Sequence, residues 1–409
     1  METVERGGGV VQETTVFSYR FSMSRKEWAK ASLARKAAGE LWTRLVKIHH
    51  FCRVRHWPWP TEAQLKAHFK QCFPLHSQTV QAIIEKFCAN IDSTRTKRQQ
   101  GDKTTRYPHR YRRYFNPVFK GQALRIGEHI LALPLGKGRE PINVHIPRLP
   151  QGRIVQAELG FNTLYLTVTK EIPEPKVPVV PKAAGLDLGI IQLGVVSDAQ
   201  EALAISGRGL RAVKQGRAKA QAQIRRKLSR CKKGSRRWKK LRRAMHRRSQ
   251  TAERVTRNAL HHTANAIASF CQAQEVTTLF TGDLANINRN KRKQRTRRIN
   301  QEIGVMEFGR LLGYLGYKLG RYGITLTKGS EAYTSQTCPH CGHLSKVAGR
   351  TYRCRSCGYK AHRDAVGSVN ILSKGVHGGE IRPGVFLVPK RIKYRRPVPL
   401  KGTSRRSCG

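Results

Sequence analysis

Acidic side chains are scarce in this 409-residue chain: 25 Asp and Glu stand against 79 Lys and Arg, a net charge of +54. A compact state with so little counter-charge repels itself. That excludes a merely soluble basic protein and calls for a polyanionic partner. Long apolar runs are missing too. Stretches such as Val177 to Ala184 are broken by proline and fall far short of the ~20 residues of a spanning helix, so nucleic acid is favoured over a membrane. Met1 to Val10 bring acids and glycines and no apolar h-region, so neither secretion nor insertion is signalled and a cytoplasmic location is expected. In that reducing compartment ten cysteines are poor evidence for disulfides. Cys52, Cys72, Cys88, Cys231, Cys271 and Cys408 lack ligand spacing and read as ordinary thiols. No internal repeat is evident.

The length suits two or three domains. Thr14 to Ser24 alternates apolar and polar residues as a strand does, and 26–51, 61–72 and 77–97 carry helical spacing, with Thr61 and Ser77 as N-caps. Extended segments return at 123–133, 142–146, 154–159 and 164–172. The expected architecture is a β-barrel domain (1–24 and 115–172) with a helical insertion (25–114), then a proline-rich linker (173–184). A mixed α/β domain follows at 185–331 and 361–375, interrupted by a small cysteine module at 332–360. The basic tail, 376–409, rich in Gly and Pro, is expected to be disordered.

Cationic side chains cluster twice. Residues 211–249 hold 18 Lys or Arg and no acid, with Gly234-Ser235 as the turn of a helical hairpin spanning about 207–272. A charge run is usually a solvated face, but one without acids to pair with suits tracking of phosphates. Arg225, Arg226, Lys232, Lys233, Arg236, Arg237, Lys239 and Lys240 are the expected contacts. Residues 106–115 interleave guanidinium and aromatic rings, so Arg110, Arg112 and Arg113 are candidates for phosphate contact beside base stacking, the bland alternative being a surface loop with a few core aromatics. His56-Trp57-Pro58-Trp59-Pro60 reads as a tryptophan loop packed on its own helices.

Cys338-Pro-His-Cys341 and Cys354-Arg-Ser-Cys357 are two matched CxxC pairs, each followed by a glycine, Gly342 and Gly358. Tetrahedral zinc needs four soft donors, and glycine permits the positive φ that follows each knuckle. Zn²⁺ bound by Cys338, Cys341, Cys354 and Cys357 is therefore expected. Four thiolates leave no open position for water, so the ribbon is structural or contacts nucleic acid. Among the acids, Asp187 ends an apolar strand in Gly185-Leu186-Asp187-Leu188-Gly189, and Asp364 stands in His362-Arg363-Asp364-Ala365-Val366-Gly367-Ser368-Val369-Asn370 at a helix start. Alone, Asp364 would read as a carboxylate complementing a helix dipole.

Together, GLDLG, the basic hairpin, an apolar strand, a helix, the ribbon preceded by Thr334-Ser335-Gln336-Thr337, and RDxxxxxN resemble, over residues 182–373, the RuvC-like domain of the TnpB (OrfB) family. These are insertion-sequence relatives of type V CRISPR effectors. The resemblance implies an RNase H-like fold with an inserted zinc ribbon, preceded by a wedge-like barrel with a helical recognition insertion. It also implies two Asp and one Glu around two catalytic Mg²⁺ ions, with Asp187 and Asp364 as two of the ligands. The implied partners are a guide RNA from the protein's own element and target double-stranded DNA. The implied state is a monomer with RNA, cytoplasmic and nucleoid-associated.

One ligand is missing from its usual place. The family ends the later strand with Glu followed by Asp-Leu, and here the string is Thr281-Gly282-Asp283-Leu284. Asp283 does not repair this, because the next residue on a strand points to the opposite face. Glu307 is the expected substitute, at the edge of the apolar stripe Phe308, Leu311, Leu312, Leu315 and Leu319, with Glu302 a weaker one. The alternative for Glu307 is a first-turn acid favouring the helix dipole. Two rival functions stand beside the nuclease: an RNA-guided repressor with a broken site, and a guide-independent DNA-binding transposase-accessory protein.

Overall fold

The computed structural model describes residues 10–21, 23–102, 104–175, 180–284, 306–347 and 349–397. Glu302 and the basic stretch 288–298 lie outside the described residues. The chain forms two compact units, Met1–Glu174 and Pro175–Gly409.

In the first unit, β1 (Val10–Arg20) leads into three helices, α1 (Arg25–Val54), α2 (Glu62–His68) and α3 (Ser77–Gln99). Thr61 caps α2 through a reciprocal capping box with Gln64. The expected cap Ser77 is already helical, and the imidazole of His76 accepts from the Gln78 amide in its place. Leu41 and Leu45 of α1 and Ile83, Ile84 and Phe87 of α3 are fully buried. Six further strands follow: β2 (Val118–Lys120), β3 (Arg125–Ile126), β4 (Ile130–Leu133), β5 (Ile142–His145), β6 (Arg153–Leu159) and β7 (Thr163–Pro173). They make a four-stranded sheet of order β1-β7-β6-β2 and a meander β3-β4-β5. Among the described residues no ladder joins the two sheets into one closed barrel. The shortness of β2 and β3, three and two residues, leaves little edge to pair.

The second unit is built on a six-stranded sheet. Its strands are β8 (Ala183–Asp187), β9 (Gln192–Ser197), β10 (Ala202–Ser206), β11 (Thr278–Gly282), β12 (Thr325–Gly329) and, after the β13–β14 hairpin (Thr351–Arg353, Lys360–His362), β15 (Ile392–Arg395). The order is β12-β11-β8-β9-β10-β15; β8, β9 and β10 are antiparallel, and the outer strands run parallel to their neighbours. Helices α4 (Arg208–Ser229) and α5 (Arg236–Ala273) form the basic hairpin. Gly234 turns at φ +87° and the Ser235 hydroxyl accepts from the Trp238 amide to start α5. Helices α6 (Phe308–Gly320) and α7 (Arg363–Val376) complete the unit.

Alternation along β8 separates two layers. Ala184 and Leu186 enter the core with Ile267 of α5 and Leu311 and Leu315 of α6. Gly185 and Asp187 face α7. A Cβ on Gly185 would lie 2.0 Å from the Ser368 carbonyl oxygen and 2.6 Å from the Leu372 nitrogen, both backbone atoms, so only glycine lets helix and strand approach this closely.

The expected disorder of the tail does not hold for residues 380–397. The Gly384 amide donates to the Pro339 carbonyl and the Val388 amide to the Tyr359 hydroxyl, and β15 then adds to β10. The reason lies in apolar residues among the charges: Val388 packs on the cluster of Cys338, Tyr352 and Cys354, and Ile392 on that of Val195, Ala204 and Ala365.

Candidate active site and metal centre

The cysteine module brings its four thiols together. All four Sγ atoms lie within 4.8 Å of one another, with Cys338 to Cys357 at 3.7 Å and Cys341 to Cys354 at 3.6 Å. Zn–S bonds of about 2.3 Å in a tetrahedron place sulfurs about 3.8 Å apart, so the residues fit zinc. Gly342 and Gly358 hold φ at +76° and +73°, as the knuckles require. Burial pushes the Cys338 thiol up to about 12; at Cys354 burial is outweighed by hydrogen bonds from the Cys357 and Ser356 amides, and the thiol falls to about 6.

The acidic cluster forms where β8, β11 and β12 end side by side. Asp187 is crowded by protein although part of its surface meets solvent. Its carboxyl is raised well above the usual range, first by burial, then by the charges of Asp364 and Glu331, with Arg363 opposing. Asp364 comes from the first turn of α7, and Gly367, three residues on, presents the same helix face. There the Asp187 carboxylate lies only 2.6 Å from where a Gly367 Cβ would stand.

Glu331, just beyond β12, was not among the sequence candidates. Thr281 pairs with Leu186 across β11 and β8, and Gly282 with Gly329 across β11 and β12. The next register step therefore sets Gly282 opposite Asp187. A Cβ on Gly282 would meet Glu331 Oε2 at 2.2 Å and its Cδ at 2.9 Å. The Glu331 side chain thus occupies the space a residue 282 side chain would need. The carboxylate after β12 therefore stands directly beside the β11 position that lacks one. These acids are more loosely spaced than the thiols: among the described residues only the cysteines form a set of three or more candidate ligands within 4.8 Å. A pair of ions about 3.5–4 Å apart takes its ligands from a wider shell than a single ion does.

The structure does not bring Glu307 to the two aspartates. It stands at the N-cap position of α6 without a side-chain cap, and its carboxylate accepts from Lys214 Nζ at 2.5 Å and Arg310 Nη1 at 2.8 Å. Burial opposes its ionisation, but these two cations hold its carboxyl below the usual range. Arg310 also reaches Glu253 at 2.6 Å, so Glu307 joins α4, α5 and α6 in one ion network.

The position of Glu331 is tied to α7. Asn370, buried at 1% exposure, donates from Nδ2 to the carbonyls of Thr334 and Thr337, each at 2.8 Å. The Thr334 hydroxyl donates to the Glu331 carbonyl at 2.9 Å, and Lys374 Nζ to that of Ala332 at 2.7 Å. This is what joins the Thr334–Thr337 segment to the asparagine of RDxxxxxN. Both motifs stand in the sequence, but 36 and 33 residues separate the partners of these two bonds, so their contact is legible only in the fold. Asn370→Ala leaves two buried carbonyls without this donor, at about 1–3 kcal/mol each. A fall in melting temperature with faster amide exchange over 331–337 is expected, and an unchanged melt would refute the clasp.

The expected cationic contacts Arg110, Arg112, Arg113, Arg225, Arg226, Lys232, Lys233, Arg236, Arg237, Lys239 and Lys240 are all exposed. Between them, Tyr107 and Phe115 turn inward onto the first unit's core. In the tryptophan loop Trp59 packs on His49 and Phe87, whereas Trp57 is 60% exposed. Among the described residues no helix is long and apolar enough to cross a membrane.

Known proteins resemble the chain in sequence and in fold. A family model described as "Probable transposase" matches residues 165–288, and one described as "Cas12f1-like, TNB domain" matches 308–371. The "Putative RNA-guided DNA endonuclease InsQ" of Escherichia coli K12 is 30% identical over 225 residues, 52% of this chain and 54% of that protein. The chain therefore aligns with about half of InsQ. The "Putative transposase MJ0856.1" of Methanocaldococcus jannaschii is 36% identical over 75 residues, which make up 69% of its length. The chain in a Cas12f1–sgRNA–target DNA complex shares the fold, with a TM-score of 0.55 at 14% identity over 85% of this chain and 82% of that one. With the ribbon, the order of its motifs and a relative matched over two thirds of its length, the chain belongs to the TnpB/OrfB family.

Proposed function

We propose that the protein is an RNA-guided, metal-dependent DNA endonuclease encoded by a transposable element. It cuts beside a short flanking DNA motif, with Asp187, Asp364 and Glu331 as the ligands of two Mg²⁺ ions and the ribbon as a structural zinc site. The observation that carries this reading is the fit of the Glu331 carboxylate into the gap at Gly282, beside Asp187. Burial and the charges of Asp364 and Glu331 raise the proton affinity of Asp187, a cost that a cation held among the three would offset. Bound divalent ions would supply an activated water and offset charge on the phosphorane.

The residues' own work is positional. Asp187 is fixed at a strand end against Gly367, Asp364 is carried by the first turn of α7, and Glu331 is clasped through Thr334 by Asn370. The exposed cations of the α4–α5 hairpin suit the backbones of a guide RNA and its target DNA, which base pairing would select. The name of InsQ is consistent with this partner set. A wedge-like role for the sheets of the first unit, and a monomer bound to RNA in the nucleoid, complete the proposal.

A repressor with a broken site would have no reason to fill the gap at residue 282 with another acid. The test is expression with native flanking DNA, sequencing of co-purifying RNA, and Mg²⁺-dependent cleavage of a matched target by wild type and Asp187→Ala. A discrete RNA with cutting by the wild type alone is expected. A discrete RNA without cutting would establish the repressor, and absence of a discrete RNA the guide-independent binder.

A further inference from the structure

The first unit holds a pocket that the nuclease site does not use. Arg53, Arg98, Arg106, Tyr107 and His109 line a cavity of about 310 Å³. Ligand pockets begin at about 300 Å³, so this one suits a ligand the size of a single nucleotide. None of the three arginines makes an ion pair among the described residues, although this unit pairs many of its other cations.

The lining is ordered. The Arg53 guanidinium stacks over the Tyr107 ring at 4.7 Å and that of Arg98 lies 5.9 Å from it. Arg98 Nη1 donates to the Thr105 carbonyl at 2.9 Å, and the His109 ring lies 3.1 Å from the Tyr107 carbonyl. The underlying core registers the field. His49, whose ring packs 5.1 Å from Tyr107, is pushed down to about 4, first by burial and then by Arg53 and Arg95. Positive charge without an acid, beside flat π surfaces, is the chemistry that holds a phosphate and stacks a base.

We propose that this pocket takes one nucleotide of an unpaired strand, its phosphate held by Arg53, Arg98 and Arg106 and its base laid against the guanidinium–Tyr107 stack. Inside a duplex both faces of a base are already stacked, so only an unpaired base has a face free for this contact. The inference rests on the reading of the chain as a nucleic-acid binder, but needs neither guide pairing nor cleavage.

The test uses the full chain in Mg²⁺-free buffer without chelator. Fluorescence anisotropy would follow labelled ten-nucleotide uridine RNA, its DNA counterpart and a duplex of the same length. Arg53→Gln/Arg106→Gln is compared with Arg55→Gln, an exposed arginine outside the pocket. The double variant is expected to bind both single strands about tenfold more weakly than the control does. Its log–log salt slope should be shallower by about 0.7, one phosphate's share. Uridine 5′-monophosphate should compete on the wild type and not on the double variant. Oligomers with and without a 5′-phosphate separate a terminal from an internal phosphate, and a loss confined to RNA or DNA identifies the strand. Equal binding by the double variant and the control overturns the proposal, as does an equal loss on the duplex. An unchanged melting temperature certifies the fold. If the nuclease reading alone fails, the pocket still discriminates; if the pocket alone fails, guided cutting persists in the double variant.

Discussion

Glu331→Gln is expected to lower guided cleavage at least about 10³-fold, because the proposed site would lose one anionic metal ligand and with it several kcal/mol of transition-state stabilisation. Binding of RNA and the melting temperature should change little. Glu307→Gln should do the reverse: cleavage within about threefold of wild type and a lower melting temperature, because the exchange weakens neutralisation of the buried Lys214 and of Arg310. The more searching arm moves the carboxylate back. Gly282→Glu/Glu331→Gly puts the acid on β11 and clears the space it needs, and should recover much of the activity that Glu331→Gln loses. Gly282→Ala alone should slow cutting, since its Cβ would stand 2.2 Å from Glu331 Oε2. Full cleavage by Glu331→Gln would remove Glu331 from the site, and failure of the double swap would mean that the two positions are not equivalent.

Zinc removal is expected to act on the same activity from a distance. Structural zinc sites contribute an apparent ~10–16 kcal/mol to folding, and the module has only Tyr352 and a few neighbours as its own core. Its last strand, β14, runs straight into α7, so Asp364 lies two residues beyond the hairpin. Chelation at neutral pH, or Cys341→Ser, should therefore expose 337–362 to amide exchange and abolish cutting even in excess Mg²⁺. Elemental analysis should give one zinc per chain, and Co²⁺ reconstitution should restore both protection and activity with thiolate-to-cobalt absorption. A zinc-free chain that cuts at the wild-type rate would refute the coupling.

What could be read from the residues was what is local. Each CxxC pair with its glycine specifies a knuckle within five residues, and Gly234-Ser235 announces the hairpin turn. The place of Glu331 could not be read that way, because it depends on β12 lying next to β11 and on β11 lying next to β8. Gly282 looked like a loss along the chain, whereas across the sheet it is a vacancy filled by a neighbour. Glu307 had the right periodicity for the edge of an apolar stripe, and that edge meets Lys214 and Arg310. The tail misled for a different reason. Its arginines, prolines and glycines dominate the composition, while a few spaced aliphatic residues, Val388 and Ile392 among them, decide where it packs.

β15 has a consequence for how the second unit folds. Strand β10 receives its second partner only from a segment separated from it by the hairpin, the ribbon and α7. Pairing so remote in sequence meets its closure entropy late and slows the final step. Until that step, β10 presents an open row of amides and carbonyls to other chains. Refolding of the second unit should thus show a slow closing phase that is sensitive to protein concentration, and shortening the chain before Ile392 should trade that phase for association at the exposed edge.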